Sequence, residues 1–128
     1  MSFAFPRILG IAVGLDAMQV DELYYASPMH DVGKIGIPDS ILLKPGKLTP
    51  EEMNIMRTHT EIGYNILRAS NRKLLKAAAT IAHEHHEYWD GTGYPQGLKG
   101  EEISIAGRII CITDVFDALC SDRIYKQS

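Results

Sequence analysis

The chain has 128 residues, 45% of them hydrophobic, and a formal net charge of −3. That length and apolar content fit one globular domain spanning residues 1–128 with a modest core, since about 100–200 residues per domain is usual. The acidic balance argues against general nucleic-acid binding, so no DNA partner is expected; an anionic small substrate stays open, because metal ions add positive charge that the sequence total omits.

Ile8, Ile11, Ala12 and Leu15 recur at helical spacing and predict a helix over 7–15, with Pro6 in its first turn or the helix beginning earlier in a longer protein. Asp16 offers a cap for a helix over 17–30, with Leu23, Ser27 and His30 on one face and Pro28 kinking the last turn. Gly33 to Pro38 reads as a loop that continues through Lys44-Pro45-Gly46-Lys47. Thr49 with Glu52 forms a capping box, and Pro50 fits the first position of a helix running to Ala69, with Met56, His59, Gly63 and Ile66 on one stripe. A fourth helix covers 72–86, capped by Ser70 or Asn71. It sets Leu74, Ala78, Ile81, Ala82 and His85 on one face, with Ala79 and His86 beside it. After the glycine-rich stretch 90–100, where a short hairpin is possible, a last helix over 105–121 presents Ile109, Ile112, Phe116 and Leu119; Asp114 lies on the next stripe with Ile110 and Ala118. No longer stretch alternates with period two. The class is all-α, a bundle of about five helices.

Cys111 and Cys120 form no Cys-x-x-Cys pair and read as reduced, small apolar residues of a cytoplasmic protein. No apolar run approaches the roughly 20 residues that span a bilayer. The apolar start has no basic leader, so no signal peptide is expected.

Four segments place polar residues on or beside core-facing stripes: His30-Asp31, His59, His85-His86 and Asp114. An inward imidazole or carboxylate left dry and unpaired costs several kcal/mol, so such groups must be hydrogen-bonded or bound to metal. Mixed nitrogen and oxygen donors suit iron, manganese, zinc or nickel. Neighbours on a helix diverge by about 100°, so His85 and His86 are expected to serve two different ions, with Asp31 bridging them. Two-metal hydrolases hold their ions about 3.5–4 Å apart, and a water bridging them is acidic enough to attack a phosphoester as hydroxide.

The runs His30-Asp31-Val32-Gly33-Lys34-Ile35-Gly36-Ile37-Pro38-Asp39 and His85-His86-Glu87-Tyr88-Trp89-Asp90-Gly91-Thr92-Gly93-Tyr94-Pro95 strongly resemble the HD-GYP family. That family is a branch of the HD-domain metal-dependent phosphohydrolases whose known members cleave cyclic di-GMP. The likeness extends from about Gly14 to Lys126 and takes in Lys44-Pro45-Gly46, Gly97-Leu98-Lys99-Gly100 and Asp114-Val115-Phe116-Asp117-Ala118-Leu119. The resemblance implies a bacterial signalling phosphodiesterase that hydrolyses cyclic di-GMP to pGpG, GMP or both, in the cytoplasm. It implies metal ligation by His30, Asp31, His59, His85, His86 and Asp114. The metals would be two divalent ions, or three in the full-length parent, iron or manganese by family. Lys34, matching the lysine after the His-Asp pair, is implied to grip a substrate phosphate, and Arg123 and Lys126 the other phosphate. Gly93, Tyr94 and Pro95 are the signature loop, implied to shape the pocket and meet diguanylate cyclase (GGDEF) domains; Asp31 and Lys34 carry the catalytic expectation.

The family places a further histidine ligand, and in three-metal members a glutamate, on a helix before the Gly14-Leu15 turn; counting back puts both ahead of Met1. Members also continue with more helix past the position of Ser128. The expectation is a catalytic core cut at both ends, with a receiver or sensor domain upstream in the parent. The competing expectation is a catalytically impaired module that acts as a cyclic di-GMP receptor or a contact for GGDEF partners. His83 falls at a variable position of the pattern and reads as solvated helix surface. Lys44, Lys47 and Lys99 read as solvated loop charges, Met53, Met56 and Trp89 as packing residues, and Glu87 as a hydrogen-bond partner of a ligand imidazole.

Overall fold

The computed structural model describes residues 4–127, with side chains from 5 to 120. Among the described residues every regular element is helical. Helix α1 (Ala4–Ala12) ends in a turn at Gly14, whose φ of 89° lies in the left-handed region that glycine enters without strain. Helix α2 (Ala17–Ala26) starts at a reciprocal cap: Asp16 accepts from the Gln19 N–H at 2.8 Å, and Gln19 accepts from the Asp16 N–H at 3.0 Å. Pro28, lacking an N–H, tightens the continuation into a 3₁₀ turn over Ser27–Met29 that delivers His30. A second 3₁₀ segment, Val32–Gly36, and the single-turn helix α3 (Asp39–Leu42) occupy the stretch expected as loop.

The helix expected from Pro50 to Ala69 is two helices, α4 (Pro50–Arg57) and α5 (His59–Leu67). The capping box is present, with Glu52 N–H donating to Thr49 Oγ1 and Thr49 N–H to Glu52 Oε1. The break has a local cause. Thr58 Oγ1, His59 Nδ1 and Thr60 Oγ1 bond the carbonyls of Ile55, Met56 and Arg57 in succession, competing with the backbone N–H groups that would have continued the ladder. The break also shifts the helical phase, so Ile66 is 46% exposed and Leu67 takes the core position.

Helix α6 (Lys73–Glu84) is the axis of the core. Ala78, Ala79, Ile81 and Ala82 pack with Leu23 and Ala26 of α2, Leu67 of α5, and Ile109 and Ile110 of α7 (Ile105–Gln127). Its alanines admit neighbouring helices closely, and full burial of a side chain such as Ile81 contributes roughly 1.5–3 kcal/mol. The residue at its N-cap is Arg72, with no side-chain cap bond; Ser70 instead accepts from the Arg72 N–H. On α7 the core stripe is Ile109, Ile110 and Thr113, while Ile112, Phe116 and Leu119, expected to face inward, are exposed. Leu74, Met53 and Trp89 are likewise exposed, against their expected packing roles. The glycine-rich stretch is bends and turns with no strand. Among the described residues no helix is long and apolar enough to cross a membrane.

Candidate metal centre

Two glycines let the walls of the site meet. A Cβ on Gly33 would stand 1.8 Å from the His59 carbonyl oxygen, and one on Gly63 would stand 3.2 Å from the Gly33 nitrogen. The 3₁₀ segment after His30-Asp31 therefore lies backbone against backbone on the first turns of α5, which sets Asp31 beside His59. Helix α6 ends at Glu84, so His85 is its C-cap and His86 lies in the following turn. Asp114 comes from the middle of α7.

One ligand atom from each of Asp31, His59, His85 and His86 lies within 4.8 Å of the others, and a second group of His30, His85 and Asp114 adjoins it. Asp31 Oδ1 is 3.3 Å from His85 Nε2 and 3.5 Å from His59 Nε2, while Asp31 Oδ2 is 3.2 Å from His30 Nε2. Asp114 Oδ1 is 3.4 Å from His30 Nε2. All six residues expected as ligands are thus brought together. His86 belongs to the first group alone, whereas His85 belongs to both.

Three of the imidazoles are locked by the backbone. His30 Nδ1 bonds the Ser27 carbonyl at 2.7 Å, His59 Nδ1 the Met56 carbonyl at 2.8 Å, and His85 Nδ1 the Ile81 and Ala82 carbonyls at 3.1 and 3.0 Å. A carbonyl only accepts, so each Nδ1 carries a proton and each Nε2 faces the cluster. The Nε2 atoms of His59 and His85 are buried with no hydrogen-bond partner. A buried imidazole nitrogen needs a partner, and these two face a carboxylate and other imidazoles, so this donor set fits a divalent cation.

The electrostatics agree. Burial works to raise the Asp31 carboxyl, but the imidazoles of His30, His59 and His85 crowded around it hold it far below the ordinary range, so it stays ionised. Burial works to lower His30, yet hydrogen bonds to Asp114 and Asp31 outweigh it and bring its pKa to about 10. A cation entering the cluster must displace that proton. Burial, together with the neighbouring His85 and His59, lowers His86 to about 3, leaving it neutral and ready to donate a lone pair.

The signature loop folds back over this cluster. A Cβ on Gly93 would lie 2.3 Å from the His86 carbonyl oxygen, which in turn accepts from the Tyr94 N–H at 3.1 Å. The Tyr94–Pro95 bond is cis. Tyr94 stacks on His86 with ring centroids 4.9 Å apart at 13°, and burial raises its hydroxyl pKa to about 12. Glu87, 1% exposed, does not bond a ligand imidazole: its two oxygens accept from the Gln96 and Leu98 N–H groups at 2.8 Å each, tying down the loop. Lys34 Nζ stands 3.4 Å from Asp31 Oδ2, at the edge of the cluster. The helix carries the backbone of Arg123 and Lys126, but their side chains lie outside the described residues. A cavity of about 200 Å³ lined by His85, His86, Tyr88 and Asp114 opens beside the centre.

His83 is outside both clusters, as expected, although it is covered: it stacks on Tyr64 at 4.2 Å and meets Glu61 at 3.0 Å. Lys44 pairs with Glu52 and braces the α4 cap, so it is no idle loop charge. Sequence reasoning missed Glu84, whose carboxylate accepts from the Ser104 N–H at 2.8 Å and fixes the start of α7 beside the end of α6. Its signal was available: an acid three residues after Ile81 on the buried face.

A family model described as "HD domain" matches residues 4–128. A cyclic di-GMP phosphodiesterase of Thermotoga maritima is 56% identical over 90% of this chain and 31% of its own length. The cyclic di-GMP phosphodiesterase response regulator RpfG of Xanthomonas campestris is 52% identical over 91% of this chain and 31% of its own. A 3′3′-cGAMP-specific phosphodiesterase of Vibrio cholerae is 55% identical over 89% of this chain and 22% of its own. The chain therefore spans a third or less of the length of these relatives.

Proposed function

The chain belongs to the HD-domain family, and from that premise we propose that it is the catalytic core of a metal-dependent phosphodiesterase acting on cyclic di-GMP. The observation that carries the reading is the pair of buried, partnerless Nε2 atoms of His59 and His85 facing an ionised Asp31. His30, Asp31, His59, His85, His86 and Asp114 would hold two divalent ions, iron or manganese. Such ions, when bound, polarise a phosphoryl oxygen and acidify water.

The chain's own residues do the rest. Asp31 remains a carboxylate and can serve both halves of the cluster, since one oxygen faces His59 and His85 and the other His30. Lys34, with Arg123 and Lys126, would offset the charge of the two phosphates. The Tyr94 ring stacks on His86 and would cover that side of the site. Hydrolysis adds water across one phosphodiester bond, giving linear pGpG, and a second round gives GMP. Residues 1–128 act on this reading as one core, with a regulatory domain and GGDEF partners belonging to a longer cytoplasmic signalling protein.

Relatives that cover most of the chain are named as phosphodiesterases, which does not favour a receptor without turnover. Three others are named for 3′3′-cGAMP, so the test includes both guanine-containing rings. The test is metal reconstitution with Mn²⁺ or Fe²⁺, then chromatography of products from cyclic di-GMP, 3′3′-cGAMP and cyclic di-AMP. Formation of pGpG, abolished in Asp31→Asn, is the expected result. A chain that takes up stoichiometric metal yet turns over none of the three overturns the reading.

A further inference from the structure

The four histidines of the centre are not held alike. His30, His59 and His85 each have Nδ1 fixed by a backbone carbonyl. His86 has no ring-nitrogen hydrogen bond among the described residues, and it lies in a turn past the end of α6. What meets its ring is aromatic. Tyr94 lies almost parallel to it, 4.9 Å away at 13°, and His59 and His85 meet it at 5.1 and 4.2 Å. Tyr94 meets a charged neighbour as well: the Arg57 guanidinium lies over its ring, 5.3 Å from the centroid.

We propose that Tyr94 and Arg57 are positioning residues for His86, an aromatic-cation clamp that substitutes for the carbonyl anchor of the other three imidazoles. The inference rests on the reading that this cluster holds metal, and it assigns Arg57 a task that no motif marks. Each layer has its own support. The Tyr94 backbone is tied to the His86 carbonyl, and Glu87 holds the loop beyond it through Gln96 and Leu98, so the ring is presented by a fixed backbone. Arg57 is the last residue of α4, and the break at Thr58 sets it at the corner where α4 leaves α5, next to His59. A guanidinium on the face of a tyrosine is attracted by the ring quadrupole and also shields that face from water. Loss of either layer leaves His86 free to turn about χ1 and χ2, so fewer molecules present its lone pair correctly. Outer partners that orient a metal-bound imidazole commonly matter by about 10–100-fold in metal affinity.

The experiment compares Tyr94→Phe, Tyr94→Leu, Arg57→Lys and Arg57→Gln in the chain as it stands, with two readouts. The first is the ring-current shift of the His86 carbon-bound protons by NMR in metal-free protein, which involves neither metal nor turnover. The second is Mn²⁺ affinity by calorimetry. Tyr94→Phe keeps the stack, and both readouts should stay near wild type, within about twofold in affinity. Tyr94→Leu should lose the ring-current shift and about tenfold in affinity. Arg57→Gln should reduce the shift and weaken Mn²⁺ about two- to threefold, with Arg57→Lys restoring most of it. Arg57 is exposed, so its variants fold even where Tyr94→Leu does not. An unchanged His86 shift in Arg57→Gln removes Arg57 from the clamp, and an unchanged shift in Tyr94→Leu, or loss of it in Tyr94→Phe, overturns the proposal. Failure of the phosphodiesterase reading is seen separately, as metal uptake without turnover in the wild-type chain.

Discussion

Helices α6 and α7 each supply a wall of the same centre, yet they are held in different ways. Helix α6 buries Ala78, Ala79, Ile81 and Ala82 at 0–2% exposure and is enclosed by α2, α5 and α7. Helix α7 buries Ile109, Ile110 and Thr113, while Ile112, Val115, Phe116 and Leu119 remain 49–59% exposed. The contrast teaches that the histidine wall is fixed by packing on several sides, whereas Asp114 is positioned by one apolar stripe, by the Glu84–Ser104 bond at the start of α7 and by a Phe5–Phe116 stack at 4.8 Å. Changes at the enclosed wall should therefore cost fold and site together. Changes near Asp114 should separate the two.

The largest effect is expected at the glycine contact behind the enclosed wall. Gly33→Ala places a Cβ 1.8 Å from the His59 carbonyl oxygen, where only backbone is available to yield. Destabilisation of about 3 kcal/mol, read by urea denaturation, and loss of Mn²⁺ binding are expected together. Gly36→Ala is the control: its Cβ would meet only the Ile62 side chain at 3.0–3.1 Å, which can shift, so its cost should be well under half as large. Equal losses would show that the backbone contact is not what sets the wall.

Next comes Glu87→Ala, which strands the N–H groups of Gln96 and Leu98. A lost acceptor for these part-buried donors costs about 1 kcal/mol, and amide exchange should rise in the loop while the α6 core keeps its protection. Asp114→Asn should do the reverse of the glycine change. Mn²⁺ affinity falls about 10–100-fold, with stability altered by less than about 1 kcal/mol, because the residue is partly exposed and packs no core. A stability loss matching that of Gly33→Ala would erase the distinction between the two walls.

How far the sequence revealed all this follows the same division. The helices, their capping residues at Asp16 and Thr49, and the convergence of the six residues expected as ligands were legible, because caps and periodicity are local and the motif is long. The break at Thr58 was not, since helical periodicity survives one misplaced turn; three consecutive side-chain bonds to carbonyls decide it. That His85 and His86 lie beyond the helix was missed because α6 ends at Glu84, two residues earlier than the pattern implies. Glu87 was assigned the wrong partner, for a carboxylate beside two histidines gives no sign that its oxygens reach residues nine and eleven positions on. On α7 the apolar residues are abundant enough to draw two stripes, and only contact with α6 selects Ile109-Ile110-Thr113 over Ile112-Phe116-Leu119.

That choice of stripe gives the smallest and most discriminating prediction. Ile112 is 55% exposed and Leu119 59%, so polar replacements remove little buried apolar area in this chain. Ile112→Gln and Leu119→Gln should each change stability by no more than about 0.5 kcal/mol, since glutamine also keeps helix propensity. Phe116 is left out of the pair because its ring stacks on Phe5 and its loss would loosen α1 from α7. Ile110→Gln, one step round the same helix at 0% exposure, should cost several kcal/mol by removing core contacts and burying an amide. Thermal melts of the three variants side by side decide it. If Ile112→Gln costs as much as Ile110→Gln, the outward stripe is packed in solution, and the one-sided support assigned to Asp114 is wrong.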